Sequence, residues 1–136
     1  MDAGIQEMFD QAGCADALIP ERTTRTTPRD MADLLRLIWS DHAGPPQACH
    51  RLGKLMRHQP TKHRLAAAFP PPVRVSAKSG SLVGVIRNEI GVIEYPDGRG
   101  YAAAVFAQAH RPWQDDAAIN AAIGTTAAAA IGMLHG

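Results

Sequence analysis

Apolar residues in the first half of the chain recur at the spacing of helix faces, so this half is predicted to be helical. Ile5, Met8 and Phe9 predict a short amphipathic helix that stops at Gly13. Residues 14–25 show no sustained period, and we interpret them as an irregular loop.

A sharper helix start follows this loop. Thr27 can cap a helix because its hydroxyl accepts a backbone N–H, Pro28 fits the first turn, and Asp30 adds a carboxylate there. The predicted apolar stripe of this helix consists of Met31, Leu34, Leu35, Ile38 and Trp39. Gly44 and the two prolines after it end the helix.

A second helix is predicted from about Gln47 to Arg57. Its predicted inward residues are Ala48, Leu52, Leu55 and Met56. After a short basic turn at residues 62–64, an apolar stretch from Leu65 to Phe69 ends at three consecutive prolines, which cannot continue a helix.

The hydrophobic period changes after the prolines, and three strands are predicted. Residues 73–78 alternate apolar and polar, which indicates a strand with one wet face, and Ser79-Gly80-Ser81 is interpreted as a turn or strand end. A second strand runs from Ile86 to Tyr95, and Pro96-Asp97-Gly98 predicts a hairpin turn. The third strand, Tyr101 to Ala107, is apolar throughout, so we expect it to be an interior strand with both faces buried.

The last element is an alanine-rich helix from about Ala117 to Leu134, predicted to be capped by Asp115 and Asp116. The element order predicts an α+β fold in which helices precede a three-stranded antiparallel meander, with the C-terminal helix packed on it. Residues 1–136 form one region, with a helical segment at 1–69 and strands plus the last helix at 70–136.

Composition narrows the function classes. The 136 residues carry 14 Lys and Arg against 13 Asp and Glu, a net charge of +1, which excludes a nucleic-acid binder held by a bulk basic field. Cys14 and Cys49 form no disulfide framework or zinc motif, so both are expected to be free thiols. No stretch is apolar enough to span a bilayer, and the first ten residues lack the apolar core of a signal peptide. As given, the chain is expected in the cytoplasm.

Two groupings with possible chemistry are set aside. His50, His58 and His63 match no zinc spacing and are interpreted as solvated surface residues. Ser40-Asp41-His42 contains the residue types of a catalytic triad, but adjacent residues on a helix point in different directions.

Lys78-Ser79-Gly80 is the more informative grouping, because it follows a wet-faced strand. It combines a fixed positive charge, a hydroxyl donor and a glycine that lets a ligand approach the backbone. By itself it is also compatible with an ordinary strand end that carries solvated side chains.

The helix start Thr26-Thr27-Pro28-Arg29-Asp30-Met31-Ala32 and the later Ala77-Lys78-Ser79-Gly80-Ser81 together resemble the penicillin-recognising serine hydrolases, above all the class A β-lactamases. The Pro-Asp-Gly hairpin and the C-terminal helix fall in the family's order. The resemblance covers almost the whole chain. It implies the β-lactamase/transpeptidase-like fold, an acyl-enzyme reaction on a β-lactam or peptide-like amide, no cofactor, no metal, and usually export from the cell.

The resemblance also implies site residues. Lys78 would hold positive potential in the pocket, and Ser79 would donate a hydrogen bond to the substrate carboxylate beside Gly80. The backbone N–H of Ser81 would form half of an oxyanion hole. Arg87 would pair with the substrate carboxylate, or else be a solvated arginine paired with Glu89.

The chain departs from the family pattern in its catalytic motifs. None of its four serines is followed by lysine at the third position, and it contains no Ser-Asp-Asn. Glu21 lies in the loop where the family carries its deacylation base, but it lacks the flanking pattern and is interpreted as a solvated acid. We therefore expect the C-terminal part of a β-lactamase-like hydrolase that is inactive alone. The alternatives are a non-catalytic binding or assembly module, and a subunit completed by a separate N-terminal chain.

The third strand also predicts a partner. In the class A family, strands from the N-terminal part pair with its free edge, and this chain lacks them. We expect the edge of residues 101–107 to pair with a second copy or with an N-terminal partner chain, and lysine or proline at Ala103 or Val105 to block that pairing. A small-molecule substrate is expected, and no nucleic acid or membrane partner.

Overall fold

The computed structural model describes residues 3, 4, 7, 10, 15–82 and 84–136. Ile5, Met8, Phe9 and Gly13, on which the prediction of a short first helix rests, lie outside the described residues, whereas Glu7 and Asp10 are described and helical. Cys14 also lies outside the described residues, whereas Cys49 is described and is a buried free thiol, as expected.

Four α-helices and three strands follow two short 3₁₀ turns at Ala15–Leu18 and Pro20–Arg22. The helices are α1 (Pro28–Trp39), α2 (Pro46–Arg57), α3 (Leu65–Ala68) and α4 (Asp116–His135), and the strands are β1 (Arg74–Leu82), β2 (Ile86–Glu94) and β3 (Gly100–Gln108). The strands form one antiparallel sheet in the order β1-β2-β3. The predicted α+β order is confirmed.

The start of α1 follows its sequence signals. The Thr27 hydroxyl oxygen accepts the backbone N–H of Asp30 at 3.1 Å, which satisfies one of the donors left free at a helix start. Leu35 and Ile38 of the predicted stripe are buried, whereas Leu34 is exposed.

The inward face of α2 differs from the prediction. Of the four residues predicted to point inward, only Met56 is buried, and it is joined by Cys49, whereas Leu55 is 71% exposed. The buried side of α2 is the one that meets α1 and the sheet, because Met56 packs with Leu35 and Val92. On the side toward α1, a Cβ on Gly53 would make ordinary contact with the Trp39 ring, at 3.7 Å.

Helices cover both faces of the sheet. One face packs on α1 and α2 through Leu35, Met56 and Val92. The opposite face packs on α3 and α4, and its core consists of Leu65, Phe69, Ala77, Ile93, Ile123, Ala127 and Ile131. The predicted wet face of β1 is therefore wrong at Ser76, which is completely buried because the α1/α2 layer lies over that face.

The predicted hairpin between β2 and β3 is confirmed. Tyr95 N–H donates to the Arg99 carbonyl at 2.8 Å, and Gly98 adopts φ +88°, which glycine tolerates without a steric penalty. The Asp97 carboxylate accepts hydrogen bonds from the backbone and side chain of Arg99, and these bonds lower the pKa of Asp97.

The start of α4 differs from the prediction. Asp115 has a left-handed φ of 53° and makes no side-chain cap, and Asp116 is the first helical residue. A Cβ on Gly124 would lie 2.5 Å from the Arg64 carbonyl oxygen, so glycine allows α4 to lie directly against the chain at the start of α3.

By length and composition alone, α4 could span a membrane, contrary to the sequence expectation. One of its faces is buried in the fold, through Ile123, Gly124, Ala127 and Ile131. The packing of this face on the sheet and on α3 accounts for part of its apolar composition.

Candidate active site

The Lys78-Ser79-Gly80 grouping lies inside β1. The strand continues to Leu82, so the predicted turn or strand end at residues 79–81 is wrong. Pairing with β2 places Ser79 opposite Glu89 and Ser81 opposite Arg87. Because side chains alternate along a strand, these four residues share the face covered by α3 and α4, whereas Lys78 lies on the other face.

The backbone N–H of Ser81 points away from the sheet. The Ser79 N–H donates to the side-chain oxygen of Gln59 at 3.1 Å, and Gln59 belongs to the loop after α2 rather than to β2. In a strand, the N–H groups of residues i and i+2 point to the same side. The Ser81 N–H is therefore directed to the edge of β1 that carries no strand among the described residues.

Lys78 is separated from the other candidate residues. It is exposed, and its Nζ donates to the carbonyl oxygen of Ser79. Gly80 has open space where a Cβ would be, and its carbonyl oxygen accepts from the Arg64 guanidinium at 3.1 Å. The structure thus brings Ser79, Ser81 and Arg87 together and leaves Lys78 on the opposite face.

Arg87 is neither solvated nor paired with Glu89. Its side chain is 3% exposed and forms an ion pair with Asp116 at the start of α4. The guanidinium carbon lies 5.8 Å from the centre of the Trp113 ring, within range of a cation–π contact. The solvated alternative is therefore wrong, and Asp116 occupies the guanidinium that the resemblance assigns to a substrate carboxylate.

Arg64 is a buried residue that the sequence analysis missed. Its Nε donates to the Asn120 side chain at 2.8 Å, and its Nη atoms donate to the carbonyl of Asn88 at 2.7 Å and to the hydroxyl of Ser81 at 2.7 Å. With its bond to Gly80, Arg64 joins β1, β2 and α4. Its sequence signal is an arginine at the end of the basic turn 62–64, directly before the apolar stretch 65–69.

Glu89 supplies the buried negative charge of this region. It is 1% exposed, and its two carboxylate oxygens accept from the Leu65 N–H at 2.6 Å and the Gln59 amide at 3.0 Å. Burial lowers the pKa of Arg64, and the charge of Glu89 acts in the opposite direction. Buried charges are stable only when they are paired or hydrogen-bonded, and hydrogen bonds to neighbouring groups satisfy each of these two residues.

A cavity of about 210 Å³ opens between these groups. Its lining residues are Thr61, His63, Arg64, Ser79, Ser81, Arg87, Trp113, Asp116 and Asn120. It combines two guanidinium groups and three hydroxyls with one carboxylate, so a small anionic group there would compete with Asp116 for Arg87. Among the described residues, no group of three His, Cys, Asp or Glu side chains could hold a metal ion.

The Ser40-Asp41-His42 sequence makes a contact that the sequence analysis did not expect. His42 Nδ1 lies 2.9 Å from the Ser40 hydroxyl oxygen. Asp41 is directed to His50 instead, at 3.4 Å, so the three residues do not form the line of a triad. His50, His58 and His63 are exposed, as predicted.

Comparison with known proteins places these features in a family. The family model described as "Beta-lactamase enzyme family" matches residues 2–132. The beta-lactamase regulatory protein BlaB of Streptomyces cacaoi is 33% identical over 103 residues, a match that covers 67% of this chain and 33% of that protein.

Solved structures agree with this match. A penicillin-binding protein A variant, determined as an acyl-enzyme complex with penicillin G, superposes with a TM-score of 0.69 at 25% identity, covering 83% of this chain and 42% of that one. A variant class A β-lactamase of the last common ancestor of Gram-negative bacteria gives a TM-score of 0.74 at 26% identity, covering 88% of this chain and 45% of that one. The chain thus spans between one third and one half of the length of these relatives. It belongs to the beta-lactamase enzyme family, and its helices, antiparallel sheet and C-terminal helix have the β-lactamase and penicillin-binding-protein fold.

Proposed function

We propose that this chain supplies the Lys-Ser-Gly wall of a serine hydrolase acting on β-lactams or related amides, and that its 136 residues correspond to the C-terminal part of the family's domain. The observation that carries the proposal is the Ser81 N–H, which points to the open edge of β1 beside the cavity lined by Ser79 and Arg87. The partial coverage of the relatives supports the correspondence.

In this role, Ser81 N–H would stabilise the oxyanion of an acyl-transfer intermediate, and Ser79 and Arg87 would bind the substrate carboxylate. Lys78 would contribute positive potential from the opposite face of β1, at the position where its own side chain is exposed. Acyl transfer also needs an activated nucleophile. The chain carries no Ser-x-x-Lys, so the 136 residues alone would bind weakly and would not acylate.

We expect the purified chain to form no covalent adduct with penicillin G, because no serine has a base within the required motif. The measurement is intact-protein mass spectrometry after incubation, with an active class A β-lactamase as the positive control. A stoichiometric acyl adduct on any serine of this chain would contradict the proposal.

The second candidate function is a non-catalytic module that binds or assembles. Two observations favour it: the relative from Streptomyces cacaoi is named a regulatory protein, and Arg87 is already paired with Asp116 inside this chain. A subunit completed by a separate N-terminal chain remains the third possibility. It would regain acylation when that chain is added, whereas the non-catalytic module would not.

Anion binding tests the carboxylate subsite directly. We expect sulfate to cause only small amide shifts near Ser79, Ser81 and Arg87, because Asp116 competes for the guanidinium. Replacement Asp116→Asn should free Arg87 and enlarge those shifts at low ionic strength. Asp33→Asn on α1 removes a carboxylate from an exposed ion pair and is the matched control. Equal shifts in all three proteins would contradict a carboxylate subsite at Arg87.

We also propose that β3 pairs with another chain. Its residues are half-buried from both faces, yet among the described residues only β2 pairs with it. An apolar groove of about 550 Å³ runs beside it, between β3, the start of α1 and α4. The occupant would be a second copy or an N-terminal partner chain, since an unprotected edge of this length favours strand addition.

A further inference from the structure

Acidic and basic residues are distributed unevenly along the chain. Residues 42–88 contain eight lysines and arginines and no aspartate or glutamate, so all 13 acidic residues lie outside this segment. A net charge of +1 therefore conceals a strongly basic segment, and basic segments of this kind attract acidic partners.

Four of these eight cations are either buried or paired with a carboxylate of the same chain. Arg64 and Arg87 are buried, and Arg57 and Arg74 both pair with Glu94, at 2.9 and 3.5 Å. The other four are exposed and have no carboxylate within 4.0 Å in the part of the chain that the structure describes: Arg51, Lys54, Lys62 and Lys78.

Two of the four exposed cations lie on the outer face of α2. Arg51, Lys54, Leu55 and His58 are spaced at i, i+3, i+4 and i+7, which places them on one side of the helix. We call these four residues the basic face of α2. They line a shallow cavity of about 340 Å³, and Lys62 lies next to it because its Nζ donates to the Arg57 carbonyl at 3.1 Å.

Leu55 lies among these charges and is 71% exposed. The buried side of α2 is formed by Cys49 and Met56, so Leu55 contributes nothing to the core on that side. Leu52, three residues before Leu55 on the helix, is 41% exposed as well, so the two leucines form one apolar patch. An exposed apolar patch rimmed by polar groups is a common feature of protein interaction sites. The surrounding cations are unpaired, so they are free to meet negative charges of a partner.

We propose that the basic face of α2 binds an acidic segment of a partner protein. An apolar side chain of that segment packs on Leu55, and flanking carboxylates pair with Arg51 and Lys54. The unpaired positive charges favour an acidic partner. The shallow cavity favours a partner that inserts a side chain over one that presents a flat surface. An anionic membrane is the less favoured partner, because interfacial helices insert a whole apolar face, whereas Leu55 lies among Arg51, Lys54 and His58.

The test uses a fluorescent synthetic peptide in which pairs of glutamates alternate with single leucines. Binding is measured by fluorescence anisotropy at low salt and at about 0.15 M ionic strength, where the Debye length is about 8 Å. We expect saturable binding that weakens with salt. The double variant Arg51→Glu/Lys54→Glu should weaken it by about tenfold or more, and Leu55→Ser should weaken it at both salt concentrations.

The matched control is Arg25→Glu/Arg29→Glu, which makes the same charge change at two exposed arginines outside α2. It should leave peptide binding nearly unchanged. Equal losses in the two double variants would mean that net charge alone governs binding and would overturn the proposal. Absence of peptide binding would overturn it too. The proposal would also be overturned if the chain floated with phosphatidylglycerol vesicles, if Arg51→Glu/Lys54→Glu abolished this flotation, and if the peptide did not compete with the vesicles.

Discussion

Replacement Arg64→Met is expected to lower the free energy of unfolding by about 3–5 kcal/mol, because it removes a buried cation that makes four hydrogen bonds and lies near the buried charge of Glu89. The variant would leave the hydroxyl of Ser81 and the side-chain oxygen of Asn120 without the guanidinium donor. The carbonyl oxygens of Gly80 and Asn88 would keep only the bonds of the β1–β2 ladder. Unfolding in urea, followed by circular dichroism, measures the change.

Two further variants separate charge from packing at this position. Arg64→Lys keeps the positive charge but cannot reach all four acceptors with one ammonium group, so it should recover only part of the stability. Arg29→Met, at an exposed position of α1, should change stability by less than about 0.5 kcal/mol. If Arg64→Met and Arg29→Met were equally stable, Arg64 would not hold the strands and α4 together.

The double variant Arg64→Met/Glu89→Met tests the coupling between the two charges. Removing both side chains should lower the free energy of unfolding by less than the sum of the two single replacements, because the double variant leaves neither of the two charges without the other. Additive losses would mean that the two groups stabilise the fold independently.

Replacement Ala104→Pro is expected to weaken self-association through β3 by about tenfold or more, because a proline on an edge strand removes a donor that a partner strand needs. The Tyr95 N–H donates to the Arg99 carbonyl at the start of the hairpin. From there, hydrogen-bonded and non-hydrogen-bonded residue pairs alternate along β2 and β3. By this alternation Ala103 and Val105 bond to β2, whereas the N–H of Ala104 points to the open edge. Sedimentation velocity over a range of concentrations measures the effect.

This alternation corrects the positions expected from sequence. Ala103 and Val105 also pack on the core under α4, so lysine or proline there would damage the fold as well as the edge. Ala104→Val keeps the N–H and is the matched control, which should associate like the parent chain. A parent chain that stays monomeric at high concentration while folding cooperatively would contradict self-association through this edge.

Local signals explain why the sequence predicted most of the fold. The Thr27 cap, the Pro-Asp-Gly hairpin and the change of hydrophobic period after the three prolines act within a few residues, so they can be recognised in one sequence. The Lys-Ser-Gly motif was equally local, and it led to the family that the comparison confirmed.

The errors arose where distant segments meet. The inward face of α2 depends on the packing of Met56 with Leu35 and Val92. The burial of Ser76 depends on the helix layer that covers that face of the sheet. A helical or alternating pattern records which residues share a face. It does not record whether another element will cover that face.

The sequence by itself determined the element order, the main turns and the family, because short-range propensities and a local motif are sufficient for these. Only the tertiary structure decided the state of the candidate site. It pairs Arg87 with Asp116, separates Lys78 from Ser79, and makes Arg64 the residue that joins two strands to α4. The contacts of Arg64 and Arg87 join residues 16 to 56 positions apart, and their strength depends on the low dielectric of a buried site, which no local pattern encodes.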